Sequence, residues 1–212
     1  AVRTHIAWPA PHAQDTPEAH GTPLGHAEIA ATKEILGLPA DQVFFVPDEV
    51  REQGLRVADQ GHSVEEQWNQ AFQAYRQEFP DLASQFEEWF DGRLPSGWDR
   101  DLVEFEVGKA VATRVSSGKV INALARRLPN MIGGSADLEP STKTLIDGSA
   151  SQGAEHPEGR NIHFGIREHG MGAILNGMAA HGGLIPYGAT FLVFSDYMRG
   201  AVRLAALMGL PV

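Results

Sequence analysis

Glu168 stands in the run Ile166-Arg167-Glu168-His169-Gly170-Met171, where a predicted strand hands over to a predicted helix. Ligands of open α/β sheets bind at the carboxyl ends of strands, so a carboxyl group placed there can meet one. It can equally be an ordinary first-turn acid offsetting the helix dipole. The predicted helix that follows contains Gly170, Gly172 and Gly177. Glycine costs about 1 kcal/mol relative to alanine inside a helix, so these positions predict close packing against another backbone, as at a tight dimer interface.

Four further stretches hold candidate groups. Phe191, Phe194 and Tyr197 recur every third residue and so share one helical face. Rings set this way can sandwich a planar heterocycle or simply pack in a core. In Gly133-Gly134-Ser135-Ala136-Asp137-Leu138-Glu139-Pro140-Ser141, the glycines permit close approach of a ligand or a sheet neighbour. Ser141 follows Pro140 and can open a helical turn, a place for an anion or merely a cap. Arg114 has the guanidinium geometry that suits a phosphate, or is a surface arginine. His20, in His20-Gly21-Thr22-Pro23-Leu24-Gly25, is either an acid/base group or a surface loop histidine. No HExxH, GxSxG, P-loop or strand-linked GxGxxG pattern occurs, and no metal ligands are assigned within the chain.

The elements that must position these residues follow from periodicity. Val2 to Ala7 alternates like a strand, 11–25 reads as a loop, and 26–36 as a helix ending at Gly37. Val43 to Val46 is a short strand or extended element, and Asp48 caps a helical turn through Gln53. Ser63 and Glu66 form a capping box for a separate helix, whose stripe Val64, Trp68, Phe72, Tyr75 and Phe79 is expected in the core. Pro80 stops it, and Asp81 caps another helix carrying Leu82, Phe86, Trp89 and Phe90. From residue 109 onward, helices at 112–127, 168–180 and 191–208 alternate with strands at 131–134, 161–166 and 184–187, and 142–160 is a long polar loop. Such alternation without hairpin turns predicts an α/β fold, a parallel sheet with helices on both faces.

Of the 212 residues, 42% are hydrophobic, enough for a core. No cysteine is present, which excludes disulfides and thiolate metal sites and makes a reducing cytoplasm the expected compartment. No apolar run suits a membrane helix. The net charge of −10 argues against nonspecific nucleic-acid binding. That charge divides into −13 over residues 1–108 and +3 over 109–212, and glycine rises from 8 to 15 across the same boundary. We therefore expect one domain over 1–90, a linker over 91–108 and a second domain over 109–212. The chain starts without Met on a predicted strand and stops at Leu210-Pro211-Val212, where another is expected to begin, so it reads as an internal fragment, incomplete at both ends.

Taken in order, HGTPLG at 20–25, GGSADLEPS at 133–141, HFGIREHGM at 163–171 and GGLIPYGATFLVFSDYMRGAVRLAALMG at 182–209 resemble transketolase over essentially the whole chain. VRTHIAWPAP and FFVPDEVREQ are closest in wording to its bacterial branch. The resemblance implies that 1–90 ends a diphosphate-binding domain and that 109–212 is the first half of a pyrimidine-binding domain. It implies a thiamine diphosphate enzyme that moves a two-carbon ketol group between sugar phosphates in the pentose phosphate pathway.

The same resemblance assigns roles. Glu168 would share a proton with the aminopyrimidine N1′. Phe194 would stack on that ring, with Phe191 and Tyr197 completing its pocket. His20 would sit near the thiazolium and touch both cofactor and substrate. Asp137 would lie at the cofactor site and dimer interface, and Arg114 and Ser141 would hold the sugar phosphate. Glu139 departs from the small residue expected there. The Mg2+ or Ca2+ ligands, in a GDG motif followed by Asn, would lie upstream of residue 1. The family's active site forms in a homodimer between this pyrimidine-binding domain and the partner's diphosphate-binding domain, so the fragment alone should be inactive. Dihydroxyacetone synthase, deoxyxylulose-phosphate synthase, and a non-catalytic subunit or binding module of a split protein are the alternative readings.

Overall fold

The computed structural model describes residues 1–212. They form two compact units, Ala1–Gln70 and Ala71–Val212.

In the first unit, a 3-10 turn at Pro17–His20 precedes α1, His26–Ile35. Gly37, at φ +70°, ends α1; its N–H and that of Leu38 bond back to Glu34 O and Lys33 O, which satisfies two terminal carbonyls. The strand expected over 2–7 is absent, and the short strand or extended element expected over 43–46 forms no ladder. Residues 1–7 and 43–46 carry no ladder partner, and Ala7 (φ 54°) and Phe44 (φ 53°) turn left-handed. Apolar alternation cannot make a strand without a neighbour to share its hydrogen bonds. The two helices expected near 48–53 and 63–79 are one helix, α2, Asp48–Glu78. Ser63 lies inside it and makes no cap; its Oγ accepts a long 3.5 Å bond from Gln67 Nε2. A cap residue must itself lie outside helical geometry, and Ser63 sits within a helix that has already begun.

The second unit begins with the last turns of α2 and with α3, Pro80–Phe90. Here the expected buried stripe is corrected: Tyr75, Phe79, Leu82, Phe86 and Phe90 remain exposed, and Ala83 alone in α3 is fully buried. The rings instead pack on one another. Phe86 lies 5.4 Å from Phe72 and 4.6 Å from Phe90 between centroids. Phe90 then meets His181 and the Gly182–Gly183 turn.

The helix α4, Thr113–Ala125, leads into β1, Met131–Ser135. A short turn of helix, α5 (Glu139–Thr142), and a loop then reach β2, Asn161–His163. The helix α6, Glu168–His181, leads to β3, Ile185–Ala189. The three strands are parallel in the order β2-β1-β3, with Gly133 opposite both Asn161 and Tyr187. One face packs Met131, Ile185 and Tyr187 against Ile121 and Ala125 of α4. The other packs Ile162 against Met171 and Leu175 of α6. The fold is therefore the α/β arrangement expected, with helices on both faces.

Three details depart from the expected elements. β2 ends at His163 because Gly165 turns to φ +68°. The long helix expected over 191–208 is a 3-10 helix, Leu192–Met198, followed by α7, Arg199–Met208. Residues 210–212, expected to begin a strand, are not strand. The glycine pair in β1 serves the sheet itself. A Cβ on Gly133 would strike Tyr187, and one on Gly134 would strike the carbonyl of Ile162.

Candidate active site

The carboxyl ends of all three strands open onto one cleft. Asp137 follows β1, Ile166 and Glu168 follow β2, and Phe194 and Tyr197 lie beyond β3; together they line a cavity of about 680 Å³. A parallel sheet sends every strand toward the same edge, so three loops converge there without long-range pairing between them. Asp137 holds φ +60°, a left-handed conformation that Asp tolerates better than most residues. The loop carrying it is fixed where Leu138 N–H donates to Ser135 Oγ at 3.1 Å.

Glu168 is the first residue of α6 and is only 8% exposed. Its side chain makes one hydrogen bond, accepted at Oε1 from Thr190 Oγ1 at 3.5 Å; Oε2 makes none. The result is a mostly buried carboxyl group at a helix start, with one oxygen uncommitted. Beside it run the three aromatic residues. Phe191 and Phe194 stack with centroids 5.9 Å apart and planes 14° from parallel, and Tyr197 follows at 6.2 Å. The 3-10 geometry explains this register, because three residues per turn put every third side chain directly in line. An α-helix would have spread them around its face.

A second cleft, about 660 Å³, brings Arg114, Ser141 and Phe191 together. Arg114 is the second residue of α4, whose N-cap, Ala112, supplies no side-chain bond. Ala112 O takes the N–H groups of Val115 and Ser116, so the first turn and its dipole point positive charge into the cleft. Thr190 lines this cleft also. Glu139 does not; it faces a separate cavity with Lys119, Arg126 and Lys143. Glu139, the residue that departs from the expected pattern, thus lines a different cavity from Arg114 and Ser141.

His20 belongs to the first unit and is exposed at the end of its 3-10 turn. It is not brought together with Glu168 within a unit. The loop before it is clamped by Glu28, whose Oε1 accepts N–H of His12 and Ala13 at 2.7 and 2.9 Å. The backbone bond from His12, then its side-chain bond, hold the Glu28 carboxyl below the usual carboxylate range. No group of three or more His, Cys, Asp or Glu side chains is placed to hold a metal ion. No helix is long and apolar enough to cross a membrane.

Sequence reading missed Thr190 and the first turn of α4. Both were in principle visible: Thr190 lies three residues beyond the strand predicted over 184–187, near a strand end where ligand contacts concentrate, and Arg114 stands at a predicted helix start.

Comparison with known proteins fits this geometry. Residues 1–95 match the family model for the transketolase thiamine diphosphate-binding domain, and residues 109–212 match that for the transketolase pyrimidine-binding domain. A transketolase of Halalkalibacterium halodurans is 50% identical over 211 residues, which are 100% of this chain and 32% of that protein. One from Geobacillus stearothermophilus is 50% identical over 212 residues with the same coverage. A crystal structure of Pichia stipitis transketolase in complex with sedoheptulose 7-phosphate superimposes with TM-score 0.89 at 38% identity, covering 99% of this chain and 32% of that one. The chain thus spans about a third of the length of these relatives. Fold and matches define the class, a thiamine diphosphate-binding α/β fold. Within that class, the chain belongs to the transketolase family.

Proposed function

We propose that this chain supplies the pyrimidine-side half of a transketolase active site, acting in ketol transfer from a ketose phosphate to an aldose phosphate. The single observation that carries the reading is the buried Glu168 with a free Oε2, set in one cleft with Phe194 and Tyr197. Such a cleft suits an aminopyrimidine: a planar ring against aromatic faces, with a carboxyl group to share a proton with its ring nitrogen. When bound, thiamine diphosphate supplies the carbon nucleophile that such a transfer needs. Glu168 holds a proton at the pyrimidine nitrogen and so sets that ring's tautomer. Phe194, supported by Phe191 and Tyr197, orients the ring and excludes water. Asp137 borders the cofactor and the subunit interface.

Arg114, Ser141 and the first turn of α4 bind the phosphate of the sugar. Contacts so far from the reacting carbon fix its position and lower the entropy cost of reaction. His20 contacts cofactor and substrate when the diphosphate-binding domain of one subunit meets the pyrimidine-binding domain of its partner in a homodimer. In this arrangement 1–90 belongs to the former domain, 91–108 links, and 109–212 belongs to the latter. Mg2+ or Ca2+ would be held by ligands other than those in this chain and would offset the negative charge of the diphosphate.

The test uses the full natural chain in its native assembly. Supplied with thiamine diphosphate and Mg2+, it should convert xylulose 5-phosphate and ribose 5-phosphate to a seven-carbon ketose phosphate and a three-carbon aldose phosphate. Stripping the cofactor should abolish turnover. Transfer that continued undiminished without thiamine diphosphate, or no transfer with it, would overturn the proposal.

A further inference from the structure

We infer that Thr190 is a positioning residue that decides which oxygen of Glu168 faces the cofactor, an inference that rests on the reading of Glu168 given above. Glu168 has one side-chain hydrogen bond, and Thr190 Oγ1 donates it to Oε1. A protonated carboxyl group has one carbonyl oxygen and one hydroxyl. A donor fixed on Oε1 makes that oxygen the carbonyl and leaves the proton on Oε2, the uncommitted atom. Without that donor, the two oxygens exchange roles freely, and the acid presents its proton only part of the time.

Thr190 is built for this placement. It directly follows β3, and the carbonyl before it, Ala189 O, accepts Ala136 N–H at 3.1 Å, which ties the strand end to the loop after β1. Phe191 then starts the 3-10 turn with an extended backbone, φ −70° and ψ 146°. The chain on both sides is therefore fixed, and a β-branched side chain on it has few rotamers. The 3.5 Å separation is at the long end for a hydrogen bond. Thr190 also lines the cleft of Arg114 and Ser141. One residue thereby touches both the acid of one cleft and the wall of the other.

The experiment compares Thr190→Val, which keeps the shape and removes the donor, with Thr190→Ser, which keeps the donor. Both are made in the full natural chain, with Glu168→Ala alongside. The readouts are the thiamine diphosphate dissociation constant and the circular-dichroism band of the bound aminopyrimidine. Loss of one hydrogen bond predicts roughly a 5- to 10-fold weaker cofactor affinity for Thr190→Val, with a diminished band, and Thr190→Ser within about 2-fold of the parent. Parent-like affinity and band in Thr190→Val, or equal damage in Thr190→Ser, would overturn the inference. If Glu168→Ala alters the band and Thr190→Val does not, the role of Thr190 alone falls. If Glu168→Ala also leaves it unchanged, the reading of Glu168 falls first. Should Thr190→Val not fold, Thr190→Ala against Thr190→Ser isolates the same hydroxyl: a parent-like Ala variant refutes, a weakened one supports.

Discussion

Replacing Gly172 by alanine would put a methyl carbon 2.7 Å from the Cβ of Ala201, where α6 and α7 cross. Non-bonded carbons prefer separations of about 3.5–4.0 Å, so the helices must part by roughly 1 Å. Overpacking of this kind costs about 1–3 kcal/mol. Met198 Cε, at 3.3 Å, is the end of a flexible side chain and can give way; Ala201 cannot. Helix propensity works in the other direction by about 1 kcal/mol, so the single variant understates the clash. A double-mutant cycle removes that ambiguity. Ala201→Gly deletes the opposing methyl, and the propensity terms of the two sites cancel in the cycle. Gly172→Ala with Ala201→Gly should be more stable than the sum of the single effects by about 1–3 kcal/mol, measured by denaturant unfolding of the natural chain. Because Glu168 lies one turn before Gly172, the single variant should also weaken cofactor binding. Additivity of the two changes within about 0.5 kcal/mol would refute the packing argument.

Other residues give similarly direct tests. Asn161 is buried, and its amide accepts Ile146 N–H at 2.7 Å and donates to Ile146 O and Ser149 O at 3.0 and 2.9 Å. Asn161→Ala leaves those backbone groups unpaired and should lose about 2–4 kcal/mol in chemical denaturation, with proteolysis first appearing in 144–151. Burial pushes the Tyr187 phenol up to about 12, and its hydroxyl donates to Thr144 O at 2.6 Å. A raised value in the folded state means this group's contribution is complete below about pH 10. It is then lost as pH rises through about 12. Tyr187→Phe should cost about 1 kcal/mol at neutral pH and remove that alkaline slope in unfolding scans.

The second unit was far more legible in the sequence than the first. Strands β1 and β3 and helices α4 and α6 fall where helix–strand alternation placed them, and each finds a partner in the sheet or on its faces. The failures share one cause, which is that local pattern does not report whether a partner exists. Val2 to Ala7 and Val43 to Val46 have strand patterns but no neighbouring strand. Ser63 and Glu66 have cap chemistry, but the helix has already begun. Phe191, Phe194 and Tyr197 were correctly placed on one face, although the element is a 3-10 helix. Gly172 does have a close neighbour, as its cost in a helix implied, but that neighbour is α7 of the same chain; nothing lies within 4 Å of a Cβ on Gly177. Glu168 itself could not be separated from an ordinary helix-start acid by spacing. What distinguishes it is burial beside an aromatic row, and that depends on how three strand ends converge.

Removing the Glu168 carboxyl tests its proposed action on the cofactor. Glu168→Ala, in the full natural chain with thiamine diphosphate and Mg2+ in excess, should lose about 10²–10⁴ in kcat for ketol transfer, the scale of a missing proton-transfer partner. Its unfolding midpoint should stay close to the parent's, since the carboxyl makes only one long hydrogen bond. Near-parental kcat in a cofactor-loaded Glu168→Ala protein would rule out the proposed role of Glu168.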